Sequence, residues 1–369
     1  MDLPSFPLVK WFAAAEGRFD ISLSHSDCEP LSVADVLDAE GQARLSRYPL
    51  GYGSFAGLEE LRSIVADQYE TLRSDDVLVF GGVSEAIYTF MRTNLKAGDE
   101  VVVQKPVFNS LRATAQGIGC QIVDWEPEDA SSCLFDVSRL ADLCSERTKL
   151  IVFNFPHNPS GQMISEDELQ NIVEIARRCD AMIFSDEQFR LLELPTTPRL
   201  PSACDLHDKV VSTTGVSKTL GMGGLRIGWL ATRCREVIQR AKEYRYYTTE
   251  MTNTPCQMIA AEAIRKSDQI LSRNRKLIEN NVERLAEFCS ERRQQLVLHP
   301  PKAGTMALVE QTTPLTGTEF CERLLDEQQV FLVPGAAMEV SDRLLRFGFG
   351  REDFNNGLER LGQFIRSLN

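Results

Sequence analysis

The sequence feature that most constrains the fold is an alternation of short apolar runs with longer amphipathic stretches. Apolar runs of strand length recur at Val77–Phe80, Glu100–Val103, Leu150–Asn154, Met182–Ser185, Val210–Thr213 and Ile227–Ala231. Between them lie stretches such as Glu166–Arg178, whose apolar residues have helical spacing. Strands that alternate with helices predict an α/β fold with a mostly parallel, doubly wound sheet. Ligands of such sheets bind beyond the carboxyl ends of the strands.

The pattern changes near Met251, where a second domain is predicted to begin. A long helical stretch through Ala260–Phe288 comes first. Short strands are predicted after it, at Leu296–Leu298, Thr305–Val309, Val330–Val333 and Leu344–Phe347. We therefore predict a large domain over residues 41–250 and a smaller α+β domain over residues 251–369. Residues 1–40 are expected to join the small domain.

Composition excludes several classes of partner. The net charge of -13 argues against nucleic acid, because phosphate backbones require a basic surface. The ten cysteines are scattered without CxxC pairs or zinc spacing, so no metal site is predicted. No stretch approaches the roughly 20 apolar residues of a membrane span, and the N-terminus lacks the basic region of a secretory signal. These features predict a cytoplasmic protein with no membrane partner.

The segment STTGVSKTLGMGGLRIGWL carries the strongest chemical signal. Lys218 follows a small-residue turn after a predicted strand, and Arg226 comes eight residues later. A buried lysine with a lowered pKa can form an imine with an aldehyde, and an arginine can pair with a phosphate. An isolated lysine in a glycine-rich turn would more often be a surface residue.

Three further segments supply compatible groups. In FNFPHNPSG, two prolines fix a turn that directs the Asn158 amide inward. In FSDEQF, Asp186 ends an apolar strand, where its carboxylate could pair with a protonated pyridine nitrogen. In VFGGVSEAI, the N–H groups of Val83 and Ser84 at a helix start could bind a phosphate. Each segment alone is typical of an ordinary turn or helix start. The four segments together, in this order, are a specific signal of one shared ligand site.

With these four segments the chain resembles the fold-type I enzymes that use pyridoxal 5′-phosphate (PLP), the class I/II aminotransferase superfamily, from about Ile21 to Phe349. The resemblance implies PLP as cofactor and Lys218 as the Schiff-base lysine and proton-transfer base. It also implies that Asp186 pairs with the pyridinium nitrogen and that Asn158 bonds the 3′-oxygen. The groups implied to hold the phosphate are Arg226, Val83 and Ser84.

The same resemblance implies contacts with the ring, the substrate and a second subunit. Phe108, in QKPVF, matches the aromatic residue that stacks on the pyridine ring. Arg346, in LLRFGFG, matches the arginine that binds the α-carboxylate of an amino-acid substrate. Tyr52, in GYGSFAGLEELR, matches the tyrosine that reaches the phosphate across a two-fold interface. A homodimer with shared active sites is therefore expected.

Two positions depart from the aminotransferase pattern. Phe189 stands where a tyrosine usually bonds the 3′-oxygen, and Gly215 stands where a serine or threonine usually bonds the phosphate. The motifs FNFPHNPSG, SEA and DxxF are most similar to the branch of the superfamily that contains capreomycidine synthase and the enduracididine-forming enzymes. That branch implies a cyclodehydratase that converts a γ-hydroxyarginine type of substrate to a cyclic guanidino amino acid.

Such a reaction needs an acid or base besides Lys218, and His25 in ISLSHSDCEP is the candidate. Either Asp27 or Glu29 could bind the guanidinium group. The alternative function is an aminotransferase with a 2-oxo acid acceptor, and a carbon–sulfur lyase is a third option. An aminotransferase-like transcription regulator is disfavoured by the acidic charge and by the absence of room for a DNA-binding domain before the first motif.

Overall fold

A seven-stranded β-sheet forms the centre of the large part of the fold. The structure is a computed structural model that describes residues 2–368. Thirteen strands are assigned within these residues: β1 Ile21–Ser22, β2 Val77–Phe80, β3 Glu100–Gln104, β4 Gln121–Trp125, β5 Thr148–Asn154, β6 Met182–Asp186, β7 Val210–Gly215, β8 Gly228–Ala231, β9 Leu296–His299, β10 Met306–Gln311, β11 Val330–Phe331, β12 Val333–Pro334 and β13 Leu344–Gly348.

The helices within the same residues are α1 Pro7–Ala15, α2 Val33–Val36, α3 Ala39–Ser46, α4 Glu59–Ala66, α5 Val83–Asn94, α6 Asn109–Ile118, α7 Ser138–Leu143, α8 Glu166–Arg178, α9 Ala203–Leu206, α10 Arg235–Arg245, α11 Thr254–Arg265, α12 Ser267–Glu291, α13 Gly317–Gln328 and α14 Phe354–Ser367. Short 3₁₀ turns occupy Ser74–Asp76, Gly223–Leu225 and Gly335–Met338. No helix of residues 2–368 is both long enough and apolar enough to cross a bilayer.

The central sheet places several strand ends at one edge. Its order is β2-β8-β7-β6-β5-β3-β4, and only β8 runs antiparallel to its neighbours. Because β2 and β7 both pair antiparallel with β8, β2 runs in the same direction as the parallel strands. The loops after β2, β3, β5, β6 and β7 therefore leave the sheet on the same side. The predicted α/β class, with a mostly parallel sheet, is confirmed.

The N-terminal segment connects to the last third of the chain. Strand β1 pairs parallel with β11, and the sheet β12-β13-β10-β9 lies next to it. The indole N–H of Trp11 in α1 donates to the carbonyl of Leu332 at 2.9 Å. These contacts agree with residues 1–40 joining the small domain, whose boundaries stay a prediction.

Local details differ from the sequence expectations at three places. The predicted helical stretch Ala260–Phe288 is two helices, α11 and α12, because Lys266 has a non-helical ψ of 11° and its Nζ donates to the carbonyl of Val36 at 2.7 Å. The predicted strand Val330–Val333 is divided between β11 and β12. Strand β4 was not expected, because Gln121–Trp125 lies at a sheet edge, where polar residues interrupt the apolar pattern.

Candidate active site

A cavity of ≈ 310 Å³ lies at the carboxyl edge of the central sheet. Its wall combines the loops after β2, β3, β5, β6 and β7 with α1, the segment after β1, and β13. Among the described residues, no cluster of three His, Cys, Asp or Glu side chains is placed to bind a metal ion.

Lys218 lies at this cavity in the loop after β7. Its Nζ donates to the hydroxyl of Ser26 at 2.8 Å, and its carbonyl accepts from the backbone N–H of Cys28 at 3.0 Å. Burial lowers the pKa of Lys218, and the positive charge of Arg346 acts in the same direction, while Asp27 raises the pKa. A lowered pKa increases the fraction of neutral amine, the form that can attack an aldehyde.

Asp186 is the last residue of β6 and is buried. Burial raises its pKa to about 7, although the backbone N–H of Gln188 donates to Oδ1 at 3.1 Å and opposes the shift. A desolvated carboxylate at the base of a cavity favours a ligand that brings a positive charge or an N–H donor. The pyridinium nitrogen of PLP is such a group, so Asp186 fits the cofactor.

Asn158 and Arg346 lie together on the same wall. The backbone N–H of Asn158 donates to Oδ1 of Asn154 at 2.8 Å, which orients the turn after β5. Arg346, on β13, is 1% exposed; Nη1 lies 3.4 Å from Oδ1 of Asn158, and Nη2 donates to the carbonyl of Ser24 at 2.9 Å. None of the described residues bonds its buried Nε, and burial lowers the pKa of Arg346 to about 10. A buried guanidinium with an open donor favours an anionic ligand.

The turn before α5 has the shape of a phosphate cradle. Gly82 has a φ of 100°, and α5 begins at the next residue, so the N–H groups of Val83 and Ser84 lie at the helix start. A Cβ on Gly82 would collide with the guanidinium of Arg226, and a Cβ on Gly228 would lie 2.8 Å from the backbone nitrogen of Val83. Glycine at these positions lets a cation and a helix start approach one another, which fits the phosphate of PLP.

The two departures from the aminotransferase pattern have different structural settings. A Cβ on Gly215 would lie 2.6 Å from the carbonyl oxygen of Ile227 and 2.8 Å from Cα of Gly228, so the approach of β7 to β8 excludes any side chain there. The close packing of the two strands therefore requires glycine at position 215, and this explains why no serine or threonine hydroxyl is present there. Phe189 is 3% exposed and lines the cavity, where its ring presents no hydrogen-bonding group to a ligand.

His25 also lines the cavity, among aromatic side chains. Its ring centroid lies 5.7 Å from that of Phe12, 6.0 Å from that of Phe19 and 6.4 Å from that of Phe331. Burial, reinforced by Arg351, lowers the pKa of His25 to about 4, and its buried Nδ1 has no hydrogen-bond partner within residues 2–368. The imidazole is therefore neutral near pH 7 and able to accept a proton.

The two acidic candidates differ in position. Asp27 lines the cavity and pairs with Arg351, whose Nη2 lies 2.9 Å from Oδ1. Glu29 does not line the cavity, because its carboxylate accepts the backbone N–H of Glu352 at 2.9 Å. Of the two, Asp27 is placed to reach a ligand.

Phe108 and Tyr52 occupy contrasting places. Phe108 lines the cavity and makes an edge contact with Phe6, with ring centroids 5.3 Å apart. Tyr52 lies outside the cavity, 90% exposed, in a groove with Met251–Pro255. Its position suits contact with another subunit better than contact with Lys218 of its own chain.

Several lining residues were missed by the sequence analysis. Ser26 bonds Lys218, Gln188 places a buried, unpartnered Oε1 at the cavity, and three residues of α1 close one side: Leu8, Val9 and Phe12. Ser26 and Gln188 stand one and two residues from predicted site residues, which was the available signal. Nothing in the α1 sequence indicates which loop it covers.

Comparisons with known proteins identify chains of the same architecture. The profile of the family described as aminotransferase class I and II matches residues 20–361. Capreomycidine synthase from Streptomyces vinaceus is 28% identical over 374 residues, covering 99% of this chain and 95% of that protein. A crystal structure of the PLP-dependent cyclase OrfR has a TM-score of 0.90 at 28% identity, covering 100% and 99% of the two chains. A PLP-dependent aminotransferase from Streptococcus suis 89-1591 has a TM-score of 0.93 at 26% identity, with the same coverage.

Proposed function

Because this chain belongs to the class I and II aminotransferase family, we propose that it closes a ring within a hydroxylated arginine with loss of water. It is a PLP-dependent enzyme of the aminotransferase superfamily. The similarity to capreomycidine synthase and to the cyclase OrfR supports the cyclisation. The observation that carries it is the position of His25, whose imidazole lines the same cavity as Lys218 and whose buried Nδ1 is bonded by none of the described residues.

The cofactor is held by residues whose geometry suits it. We assign the pyridine nitrogen to Asp186, the 3′-oxygen to Asn158, the ring face to Phe108, and the phosphate to Arg226, Val83 and Ser84. When bound, PLP supplies an electron sink that makes the α-hydrogen of an amino acid acidic. Substrate binding and proton transfer are assigned to side chains of the protein.

The substrate is held at both ends. Arg346, which lines the cavity, is assigned to the α-carboxylate, and Asp27 is the candidate for the guanidinium group. Lys218 Nζ, delivered as neutral amine, takes the proton from the α-carbon. Ser26, which accepts a hydrogen bond from Nζ, orients that amine.

His25 serves the side chain of the substrate. In the proposed reaction its imidazole takes a proton from the β-carbon and passes it to the γ-hydroxyl, which leaves as water. A nitrogen of the substrate's own guanidine then bonds to the γ-carbon and closes a five-membered ring, and His25 carries the proton that this nitrogen loses back to the β-carbon. The proton that Lys218 removed returns to the substrate, so the balance is one hydroxyarginine giving one cyclic product and one water.

The alternative is an aminotransferase, and it is favoured by the likeness to the Streptococcus suis aminotransferase. The two functions differ in their need for a second substrate. Holoenzyme incubated with γ-hydroxyarginine alone should convert all of it to a product lighter by one water, detected by mass spectrometry. An aminotransferase would instead stop after one equivalent with the cofactor left as pyridoxamine phosphate, and it would resume when a 2-oxo acid is added. That second result would overturn the cyclisation.

We propose further that the enzyme is a homodimer. Large exposed side chains lie close to Tyr52 along the chain: Leu50 is 86% exposed, and the exposed Phe55 contacts the exposed ring of Tyr246 with centroids 5.4 Å apart. Exposed aromatic and apolar groups of this kind favour burial against a second subunit. In such a dimer Tyr52 would reach the phosphate site of the partner.

A further inference from the structure

Glu85, in the first turn of α5, lies behind the glycine turn and is unused by the chemistry above. Its Oε2 accepts the backbone N–H of Gly81 at 2.6 Å, and its Oε1 is bonded by the hydroxyl of Thr249. The Nε of Arg245 lies 3.6 Å from the same Oε1. A carboxylate therefore joins the turn that begins the phosphate cradle to the end of α10.

Arg245 is built into the interior of the protein. It is 1% exposed, its guanidinium lies 4.8 Å from the ring centroid of Phe80, and Nη1 donates to the carbonyl of Val79 at 2.7 Å. Nη2 donates to the hydroxyl of Thr252 at 3.1 Å. Phe80 and Val79 end β2, so Arg245 fixes the strand from which the glycine turn leaves.

Opposite charges contact the two glycines of the turn: the Glu85 carboxylate lies at Gly81, and the Arg226 guanidinium lies at Gly82. A carboxylate in the first turn of a phosphate-binding helix would repel the phosphate and compete for the free N–H groups. Here the Glu85 carboxylate instead accepts the N–H of Gly81 and is compensated by Arg245. A Cβ on Gly81 would lie 2.9 Å from Oε2 of Glu85. The Gly81–Gly82 turn is thus held between the carboxylate of Glu85 and the guanidinium of Arg226.

From this arrangement we propose that Glu85 and Arg245 are positioning residues that hold the Gly81–Gly82 turn in its phosphate-binding shape. The proposal rests on the assignment of the cofactor phosphate to Val83, Ser84 and Arg226. It does not depend on which reaction the enzyme performs.

The test compares PLP with pyridoxal, which lacks the phosphate. Full-length protein freed of cofactor is titrated with each aldehyde, and the visible absorbance of the bound form gives two dissociation constants. In Glu85→Ala the preference for PLP over pyridoxal should fall at least tenfold, because only the phosphate contacts are disturbed. Glu85→Gln retains an acceptor for Gly81 and should recover part of that preference.

The control is Glu236→Ala, which removes a carboxylate that pairs with Arg240 on the surface of α10. It should leave both constants within twofold of those of the unaltered protein. If Glu85→Ala weakens PLP and pyridoxal by the same factor, or changes neither, the proposal is wrong. If PLP is not preferred over pyridoxal even in the unaltered protein, the phosphate assignment itself fails. A shift that Glu85→Gln does not partly restore would also count against the clamp on Gly81.

Discussion

At the scale of single residues, the most informative group is a buried cation with an unfilled donor. The hydrogen bonds of the Arg346 guanidinium go to two neutral acceptors, the carbonyl of Ser24 and the amide oxygen of Asn158, and no described residue bonds its Nε. Burial of an incompletely compensated charge costs free energy that a bound carboxylate recovers. If Arg346 binds the substrate carboxylate as proposed, it should stabilise the complex more than the free protein.

Replacing this guanidinium by an ammonium should reduce binding of the α-carboxylate. In Arg346→Lys the planar fork is lost, and we expect kcat/KM for the amino-acid substrate to fall at least about a hundredfold, from the loss of a bidentate charged pair. Affinity for the matching amine without a carboxylate should change little. Steady-state kinetics and equilibrium binding measure the two effects. Arg343→Lys, on the neighbouring loop, is the control, and equal losses for both ligands would contradict the assignment.

The sequence indicated those site residues that carry their own local pattern. Lys218 and Asn158 follow a strand and Asp186 ends one, each stands in a recognisable motif, and the structure brings all three to one cavity. Ser26 and Gln188 could not be derived in this way, because their roles depend on tertiary packing: the segment after β1 brings Ser26 to Lys218, and the turn after β6 brings Gln188 to the same cavity. The sequence also could not explain why position 215 is a glycine, because the cause is the close approach of the β7 backbone to Ile227 and Gly228.

At the scale of elements, α1 controls the environment of His25. Phe12 packs on both His25 and Phe331, with the Phe12 and Phe331 ring centroids 4.7 Å apart, and it lines the cavity. Helix α1 thereby excludes water from the imidazole. The alternation of strands and helices predicted the sheet behind the cavity, but an isolated helix of nine residues at the N-terminus has no periodic neighbour to indicate where it packs.

Removing the Phe12 ring should raise the pKa of His25. Desolvation is the largest cause of its low value of about 4, so Phe12→Ala should move the pKa upward toward the ordinary 6.5. The chain contains four histidines, which makes their assignment by NMR titration practical. His25→Gln identifies the resonance. An unchanged pKa in Phe12→Ala would show that burial by α1 does not set the protonation of His25.

At the scale of the whole molecule, buried neutral histidine also links stability to pH. His157 is 1% exposed; its Nδ1 lies 2.7 Å from the Ser160 hydroxyl and its Nε2 2.8 Å from the carbonyl of Pro106. A neutral ring protonated at Nε2 satisfies both contacts, with Ser160 as donor to Nδ1. Burial lowers the pKa of His157 to about 4.

Stability should therefore decline as the pH falls through the window between the two pKa values of His157. Below the unfolded value of 6.5 the unfolded chain takes up a proton that the folded chain refuses until about pH 4, so protonation favours unfolding. In His157→Gln this contribution disappears. Between about pH 7 and pH 4.5 the free energy of unfolding should fall by about 2 kcal/mol less than in the unaltered protein. Denaturant unfolding at both pH values measures the difference, and parallel declines would refute it.

The proposed homodimer with shared active sites can be tested by mixing two impaired variants, each of which lacks a different site residue. If Tyr52 completes the phosphate site of the partner, then Lys218→Ala and Tyr52→Ala chains are each impaired as homodimers. A hybrid dimer has one site with Lys218 from one chain and Tyr52 from the other, and that site is intact. Random exchange makes half of the dimers hybrid with half of their sites intact, so mixed chains should recover about a quarter of normal activity. Subunits are mixed under mild denaturation, refolded with PLP and assayed, with each variant treated alone as control. Activity no greater than the sum of the separate variants would place Tyr52 outside the partner's site.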